Sequence, residues 1–166
     1  IVVLLNAGAS AININILQGD QSVFTRDISM GGNAYTEAVQ KELDLPHESA
    51  EQLKKGIPVD GASFEEAQPV LRAVSENVLL EVQKTFDFFK ATASSDRIDR
   101  IMLSGGASRV DGFRDMLQER FSAPVEEFDP FRAILWDAKK LGRDAVEHTS
   151  TAAVAVGLAL RKVSDR

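Results

Sequence analysis

One segment near the start of the chain constrains the fold more than any other, because Ile12, Ile14 and Ile16 alternate with Asn13 and Asn15. Alternation with a period of two residues predicts a β-strand that buries one of its faces. An apolar run over residues 1–5 precedes this segment, and a third strand-like run over residues 22–29 follows a Gly-Asp turn. Since short turns join the three runs, the sequence predicts an antiparallel meander.

Helical patterns follow the meander. Asn33 is predicted to cap the first helix, and the Ser49-x-x-Gln52 and Ser63-x-x-Glu66 patterns are each typical of a capping box that opens a helix. Pro69 is expected to restart the helix that Ser63 opens. From residue 70 to about residue 91, apolar residues recur at three- and four-residue spacing, which predicts a long amphipathic helix.

The second half of the sequence predicts a strand over residues 97–103, a Gly-Gly turn, a helix, and a short edge strand over residues 125–128. A closing helix rich in small residues is predicted from about Thr149. The small residues Ala153 and Gly157 would allow that helix to approach a neighbouring backbone closely. This order of elements predicts a layered α/β domain.

Composition excludes several classes of function. The chain has 166 residues, with 19 basic and 25 acidic side chains, and its net charge of −6 argues against a nucleic-acid surface. It has no cysteine, which excludes a disulfide scaffold and a thiol nucleophile and fits a reducing cytosol. No apolar run approaches the length of a membrane span, so we expect no membrane insertion.

Three glycine turns are the candidate functional features. They lie at Gly8, at Gly31-Gly32 and at Gly105-Gly106, each where one type of secondary structure gives way to another or where two strands meet. A glycine hairpin can present backbone N–H groups to phosphate oxygens, and free N–H groups at the start of a helix favour anions. Ordinary turn formation is the alternative interpretation for each of them.

The order and context of these turns resemble the second half of an actin-like, ribonuclease H-type ATPase, the superfamily that includes actin, Hsp70, FtsA and sugar kinases. Within it, the chain is most similar to the PilM family of type IV pilus assembly proteins. The resemblance covers nearly the whole chain and rests on segments 6–17, 22–28, 31–37, 50–54, 103–108 and 149–160. The Phe-Thr-Arg-Asp-Ile…Gly-Gly-Asn run is specific to the pilus branch.

The resemblance implies a fold and a function. Residues 1–166 would form the second domain of the ATPase fold, with residues from about 40 to 95 as a helical subdomain on the nucleoside side and a first domain missing upstream. ATP with Mg²⁺ would bind between the two domains. The protein would be a cytoplasmic scaffold, peripheral at the inner membrane through a PilN-type protein that docks on the missing domain and through other pilus assembly proteins.

Roles for individual residues also follow from the resemblance. Gly8, Ala9 and Ser10 match the second phosphate-binding hairpin, and Gly31, Gly32 and Asn33 fall near the ribose and phosphates. Glu51 and Lys54 match positions that contact the nucleoside, although an ordinary surface ion pair is an equal alternative. Gly105, Gly106 and Ala107 resemble the adenosine motif, with Ser108 and Arg109 beside the adenine.

Asn6 departs from the family pattern. The superfamily usually has an aspartate there, whose charge helps to hold Mg²⁺ and its waters, whereas asparagine supplies only a neutral oxygen. Rapid hydrolysis is therefore not expected, and a nucleotide-binding scaffold is the favoured function. The alternatives are an active ATPase or kinase of the same fold and a partner-binding module with a vestigial cleft.

Overall fold

The strands form one five-stranded sheet. In a computed structural model of the protein, which describes residues 1–92, 97–132, 134–141 and 149–162, the strands are β1 (Val2–Ala7), β2 (Ile12–Gln18), β3 (Gln21–Ile28), β4 (Arg100–Ser104) and β5 (Val125–Glu127). Their order across the sheet is β3-β2-β1-β4-β5. The pairs β1–β2 and β2–β3 are antiparallel, whereas β4 runs parallel to β1 and β5 parallel to β4. The predicted meander and edge strand are confirmed.

Helices occupy the connections between the strands. They are α1 (Gly32–Leu43), α2 (His47–Lys54), α3 (Phe64–Thr92), α4 (Phe113–Phe121), α5 (Ala138–Leu141) and α6 (Ala153–Leu160), and 3₁₀ turns lie at Gly106–Arg109 and Thr149–Ala152. Among the described residues, no helix has both the length and the apolar character needed to cross a bilayer.

One face of the sheet belongs to the hydrophobic core. Ile12, Ile14 and Ile16 of β2 are almost fully buried, as their alternation with asparagines predicts. The same core cluster includes Val82 and Phe86 of the long helix α3. The opposite face of β1 and β2 presents side chains that are exposed or half-buried, including Asn13. The period of two residues therefore separates a core face from an open face.

Helix α3 confirms one local prediction and corrects another. The Ser63 backbone N–H donates to the Glu66 carboxylate at 2.8 Å and the Glu66 N–H donates to Ser63 Oγ at 3.3 Å, so the capping box is present. Pro69, however, lies inside α3 and does not restart it. Ala67 and Leu71, on either side of it, are buried in the core, and this packing keeps the helix continuous in spite of the missing N–H.

Two predicted helix starts are wrong. The N-cap of α1 is Gly31, not Asn33, and α2 begins at His47 after Pro46, which places Ser49 inside the helix and not at a cap. Proline favours the position before or at the first helical turn because its φ is already fixed there and it has no N–H to leave unpaired. These starts are therefore set by backbone geometry and not by a side-chain cap.

The closing helix begins where predicted, with a 3₁₀ turn over Thr149–Ala152 followed by α6. Its small residues do not bring it close to another backbone in the part of the chain that the structure describes. No residue of α6 is buried, and no atom lies within 4 Å of a Cβ added at Gly157. The expectation of close packing is not met there.

Candidate functional site

The three glycine turns meet at the carboxyl ends of β1 and β4. The β1–β2 hairpin closes through the Gly8 N–H, which donates to the Ala11 carbonyl at 3.0 Å. The start of α1 then packs on this hairpin: the Gly32 N–H donates to the Gly8 carbonyl at 2.9 Å, and the Asn33 N–H donates to the Ala9 carbonyl at 2.8 Å. Two turns far apart in the sequence are thus joined directly by their backbones.

Glycine is required at two points of this junction because the backbones lie too close for a side chain. A Cβ at Gly31 would lie 2.5 Å from the Gly8 carbonyl oxygen. A Cβ at Gly105 would lie 2.3 Å from the Ala7 carbonyl oxygen, and the φ of Gly105 is +90°, a conformation that other residues rarely adopt. Gly106, by contrast, has no neighbour within 4 Å of such a Cβ.

These contacts change which amides could bind an anion. The sequence predicts free N–H groups at the starts of two helices, but the N–H groups of Gly32 and Asn33 are used by the hairpin. The Gly105-Gly106 turn leads only into the 3₁₀ turn, and α4 does not begin until Phe113. Free amides remain in the hairpin itself: Ala9 and Ser10 are exposed, and their N–H groups have no hydrogen-bond partner among the described residues. Paired amides of this kind suit phosphate oxygens.

A cavity of about 620 Å³ opens beside the hairpin. Its lining residues come from the hairpin, α1, α2 and the turn after β4: Ala9, Gly32, Asn33, Glu51, Lys54, Lys55, Ile57, Gly106, Ala107, Arg109 and Val110. The structure therefore brings eight of the thirteen residues that the resemblance places around the nucleotide to one cavity. Of the other five, Gly8, Ser10, Gly31 and Gly105 belong to the turns that border it, and Ser108 lies in the turn after β4.

Three lining residues were not predicted. Lys55 forms an ion pair with Glu51 at 3.0 Å, a spacing of four residues along α2 that the sequence displays. Ile57 is a large apolar residue that is 48% exposed just after α2 ends, and no sequence pattern marks it, because single exposed apolar side chains are common on protein surfaces. Val110 reads in the sequence as a core residue, and it is in fact both buried and part of the cavity wall.

Lys54 does not present its charge to the cavity. Its ammonium group donates to the Gly32 carbonyl at 3.2 Å, to Thr36 Oγ1 at 2.9 Å and to the Glu51 carboxylate. An ammonium group has three N–H donors, so all of them are used within the wall. Lys54 therefore links α2 to α1. The Glu51 carboxylate and the exposed side chain of Ile57 remain available to contact a ligand.

Glu51 is the acceptor of this network. Burial alone would raise the pKa of Glu51, but hydrogen bonds from Lys54, Thr36 and Lys55 outweigh it and lower the pKa to about 2. Thr36 Oγ1 donates to this carboxylate at 2.6 Å. The Glu51 side chain thus remains a carboxylate, able to accept a further hydrogen bond, throughout the neutral range.

The remaining predicted residues lie on the other side of the cavity or below it. Arg109 is exposed and lines the cavity from the 3₁₀ turn after β4. Ser108 does not line the cavity, because its hydroxyl donates to the Gly105 carbonyl at 2.6 Å within the turn. Asn6 also lies off the wall, where its amide is hydrogen-bonded to Asn13 and Ser104 at 3.2 Å each.

Comparison with known proteins identifies the family. The sequence pattern of the family described as "Type IV pilus assembly protein PilM" matches residues 1–163. The chain belongs to the PilM family. A chain of the solved PilM–PilN type IV pilus biogenesis complex is 25% identical and superposes with a TM-score of 0.83 over 96% of this PilM chain and 45% of its own length. The family expected from the sequence is confirmed.

More distant relatives share the fold. MreB5 of Spiroplasma citri, solved with AMPPNP bound, is 16% identical, with a TM-score of 0.66 over 95% of this chain and 51% of that chain. A chaperone protein HscA homolog of Rickettsia conorii is 23% identical over 79% of this chain and 25% of its own sequence. The fold is that of the actin-like ATPases, as predicted. This PilM chain spans about half the length, or less, of these relatives.

The junction of the glycine turns can be tested with two neighbouring glycines. Gly105→Ala should lower the free energy of unfolding by at least about 2 kcal/mol, because alanine is strained at that φ and its Cβ meets the Ala7 backbone. Gly106→Ala is the matched control and should change it by less than about 1 kcal/mol. Urea denaturation of both variants measures this, and equal stability would contradict the described contact.

The low pKa of Glu51 predicts how the stability of the protein depends on pH. The Glu51 carboxylate binds a proton more readily in the unfolded chain, where its pKa is near the ordinary value of 4.5, than in the native protein, where its pKa is about 2. Its stabilising contribution is therefore fully present above pH 4.5 and is lost as the pH falls towards 2. Between pH 5 and about pH 3 the wild type should lose more stability than Glu51→Gln in denaturant titrations. Equal losses of stability in the wild type and in Glu51→Gln would show that the hydrogen-bond network does not keep Glu51 ionised at low pH.

Proposed function

We propose that this PilM chain is one wall of an ATP-binding cleft and that a first domain, outside the chain described, supplies the other wall. The observation that carries the proposal is the pair of hairpin amides, Ala9 and Ser10, which have no hydrogen-bond partner within the part of the chain that the structure describes and lie at the border of a cavity of about 620 Å³. In this proposal residues 1–166 are the second domain, and the helices of about residues 40–95 form its nucleoside-side subdomain. The AMPPNP-bound state of a relative with the same fold supports a nucleotide as the ligand.

The lining residues suit the parts of a nucleotide. The hairpin amides would receive the phosphates, and the Glu51 carboxylate can accept a hydrogen bond from a ribose hydroxyl. The Arg109 guanidinium can stack on a flat base, while Ile57 and Val110 contribute apolar contact. The cavity lining thus offers a group that suits each part of a nucleoside phosphate.

A Mg²⁺ ion would be held mainly by the phosphates. Two oxygen-bearing side chains at the carboxyl ends of β1 and β4, Asn6 and Ser104, are neutral and hydrogen-bonded to each other. Mg²⁺ keeps several waters and favours phosphate and carboxylate oxygens, so neutral oxygens fit the hydrated ion through those waters. When bound, the ion would neutralise phosphate charge, while Asn6 and Ser104 would orient its water shell.

Binding of ATP is the step to test, in the full-length protein. Calorimetric titration should show MgATP binding by the wild type and a loss of affinity of about tenfold for Arg109→Ala, the order of magnitude of a lost cation–π contact. Arg72→Ala is a matched control, because Arg72 is an exposed arginine on α3 paired with Glu76 at 3.5 Å. Unchanged affinity in Arg109→Ala, or no binding by the wild type, would contradict the proposed site.

We further propose that nucleotide binding adjusts contacts with pilus partners, so that the protein is a scaffold on the cytoplasmic side of the inner membrane. A PilN-type protein is the proposed partner, because a similar chain was solved in a PilM–PilN complex. Its binding site is expected on the first domain. A peptide of the PilN cytoplasmic tail should therefore bind the full-length protein and not this chain alone. Binding to this chain alone would contradict a site on the first domain.

A further inference from the structure

A row of four hydrogen-bonded side chains crosses the open face of the sheet. Asp27 of β3, Asn13 of β2, Asn6 of β1 and Ser104 of β4 are successive register partners. Asn13 Nδ2 donates to Asp27 Oδ1 at 2.8 Å, and Asn6 Nδ2 donates to Asn13 Oδ1 at 3.2 Å. Ser104 Oγ donates to Asn6 Oδ1 at 3.2 Å. The row ends directly beneath the hairpin and the Gly105 turn.

The direction of these hydrogen bonds is set at one end. A carboxylate can only accept hydrogen bonds, so the Asn13 atom that faces Asp27 must be the NH₂ group. The other atom of that amide, an oxygen, then faces Asn6 and can only accept. Asn6 must therefore turn its NH₂ group to Asn13 and its carbonyl oxygen to Ser104, whose hydroxyl can donate.

An aspartate at position 6 could not donate the hydrogen bond that Asn6 donates to Asn13. Its oxygen would face the oxygen of Asn13 at about the 3.2 Å that now separates donor and acceptor. If the Asn13 amide turned over to donate to residue 6, its oxygen would face the Asp27 carboxylate across the 2.8 Å contact. Either arrangement opposes two acceptors at hydrogen-bond distance and costs the row one of its side-chain hydrogen bonds. An aspartate at position 6 is therefore disfavoured while Asp27 is present.

We propose that Asp27 is a positioning residue that, through Asn13, fixes a neutral amide at position 6 and directs its carbonyl oxygen to the hydroxyl of Ser104, the last residue of β4. The carboxylate of this row lies at its outer end, in β3, and a dipole without net charge lies beneath the phosphate hairpin. The ligand side of this inference rests on the proposed function, whereas the coupling between positions 6 and 27 does not.

A double-mutant cycle tests the coupling in the full-length protein. Asn6→Asp should lower the thermal unfolding midpoint by about 2–4 °C, and Asp27→Asn by less than about 1 °C, since asparagine can accept from Asn13 as aspartate does. In Asn6→Asp/Asp27→Asn the whole row can reverse its direction, so the midpoint should return to within about 1 °C of the wild type. Additive losses in the double variant would overturn the inference.

A second pair of variants separates hydrogen-bond direction from general charge relief. Asp20 lies exposed in the β2–β3 turn, outside the row, and Asp20→Asn removes the same charge as Asp27→Asn. Asn6→Asp/Asp20→Asn should remain as unstable as Asn6→Asp. Rescue by Asp20→Asn would overturn the inference. If Asn6→Asp alone does not fold, folding of the Asp27→Asn double variant and failure of the Asp20→Asn double variant give the same answer.

The ligand side has its own readout. The Asn6→Asp/Asp27→Asn variant keeps the net charge but moves the carboxylate to the cleft, so the ratio of ATP affinities with and without Mg²⁺ should rise about tenfold over the wild type. An unchanged ratio in a stable double variant overturns the ligand side alone. Absence of ATP binding in the wild type would refute the proposed function, while the stability cycle would still decide the coupling.

Discussion

The contact between the β1–β2 hairpin and the start of α1 is the constraint on which the site depends. Two backbone hydrogen bonds from Gly32 and Asn33 join these segments. They are possible because Gly31 has no side chain to collide with the Gly8 carbonyl. Because this contact fixes where α1 begins, it also fixes Thr36, which in turn holds Glu51 and Lys54 of α2. One backbone junction thus positions the part of the cavity wall that α1 and α2 supply.

The polar groups around this junction are of two kinds: some are hydrogen-bonded within the protein, and others are able to bind a ligand. The amides of Gly32 and Asn33 and the ammonium group of Lys54 are satisfied inside the protein. The amides of Ala9 and Ser10 have no partner among the described residues. A hydrogen-bonded group gains little from a ligand, whereas an unpartnered amide gains a full interaction. Phosphate recognition is therefore proposed for the hairpin and not for the start of α1.

Local patterns in the sequence were sufficient for much of the fold. The alternation of Ile12, Ile14 and Ile16 predicted β2 and its buried face, and the Ser63–Glu66 box predicted the start of α3. The predictions at Asn33 and Pro69 were wrong because tertiary contacts decided them. A backbone junction with a distant hairpin overrides the preferred cap residue, and core packing on both sides overrides the tendency of proline to end a helix.

The sequence predicted where the site lies better than it predicted how its side chains are used. The glycine turns and the resemblance indicated most of the lining residues, but the use of Lys54 as a structural tie depends on Thr36, which belongs to another helix. The row from Asp27 to Ser104 could not be read from the sequence, because it follows the register of four strands. Such groupings are set by the sheet and by helix packing, which no local pattern specifies.

Titration of ¹⁵N-labelled full-length protein with ATP, ADP and adenosine tests most directly whether the hairpin binds phosphate. The amide resonances of Ala9 and Ser10 should shift strongly with ATP and ADP and little with adenosine, because the phosphates supply the acceptors. The Gly32 and Asn33 amides, already hydrogen-bonded to the hairpin, should shift less with each ligand. Equal shifts of Ala9 and Ser10 with adenosine, or none with ATP, would contradict a phosphate site at the hairpin.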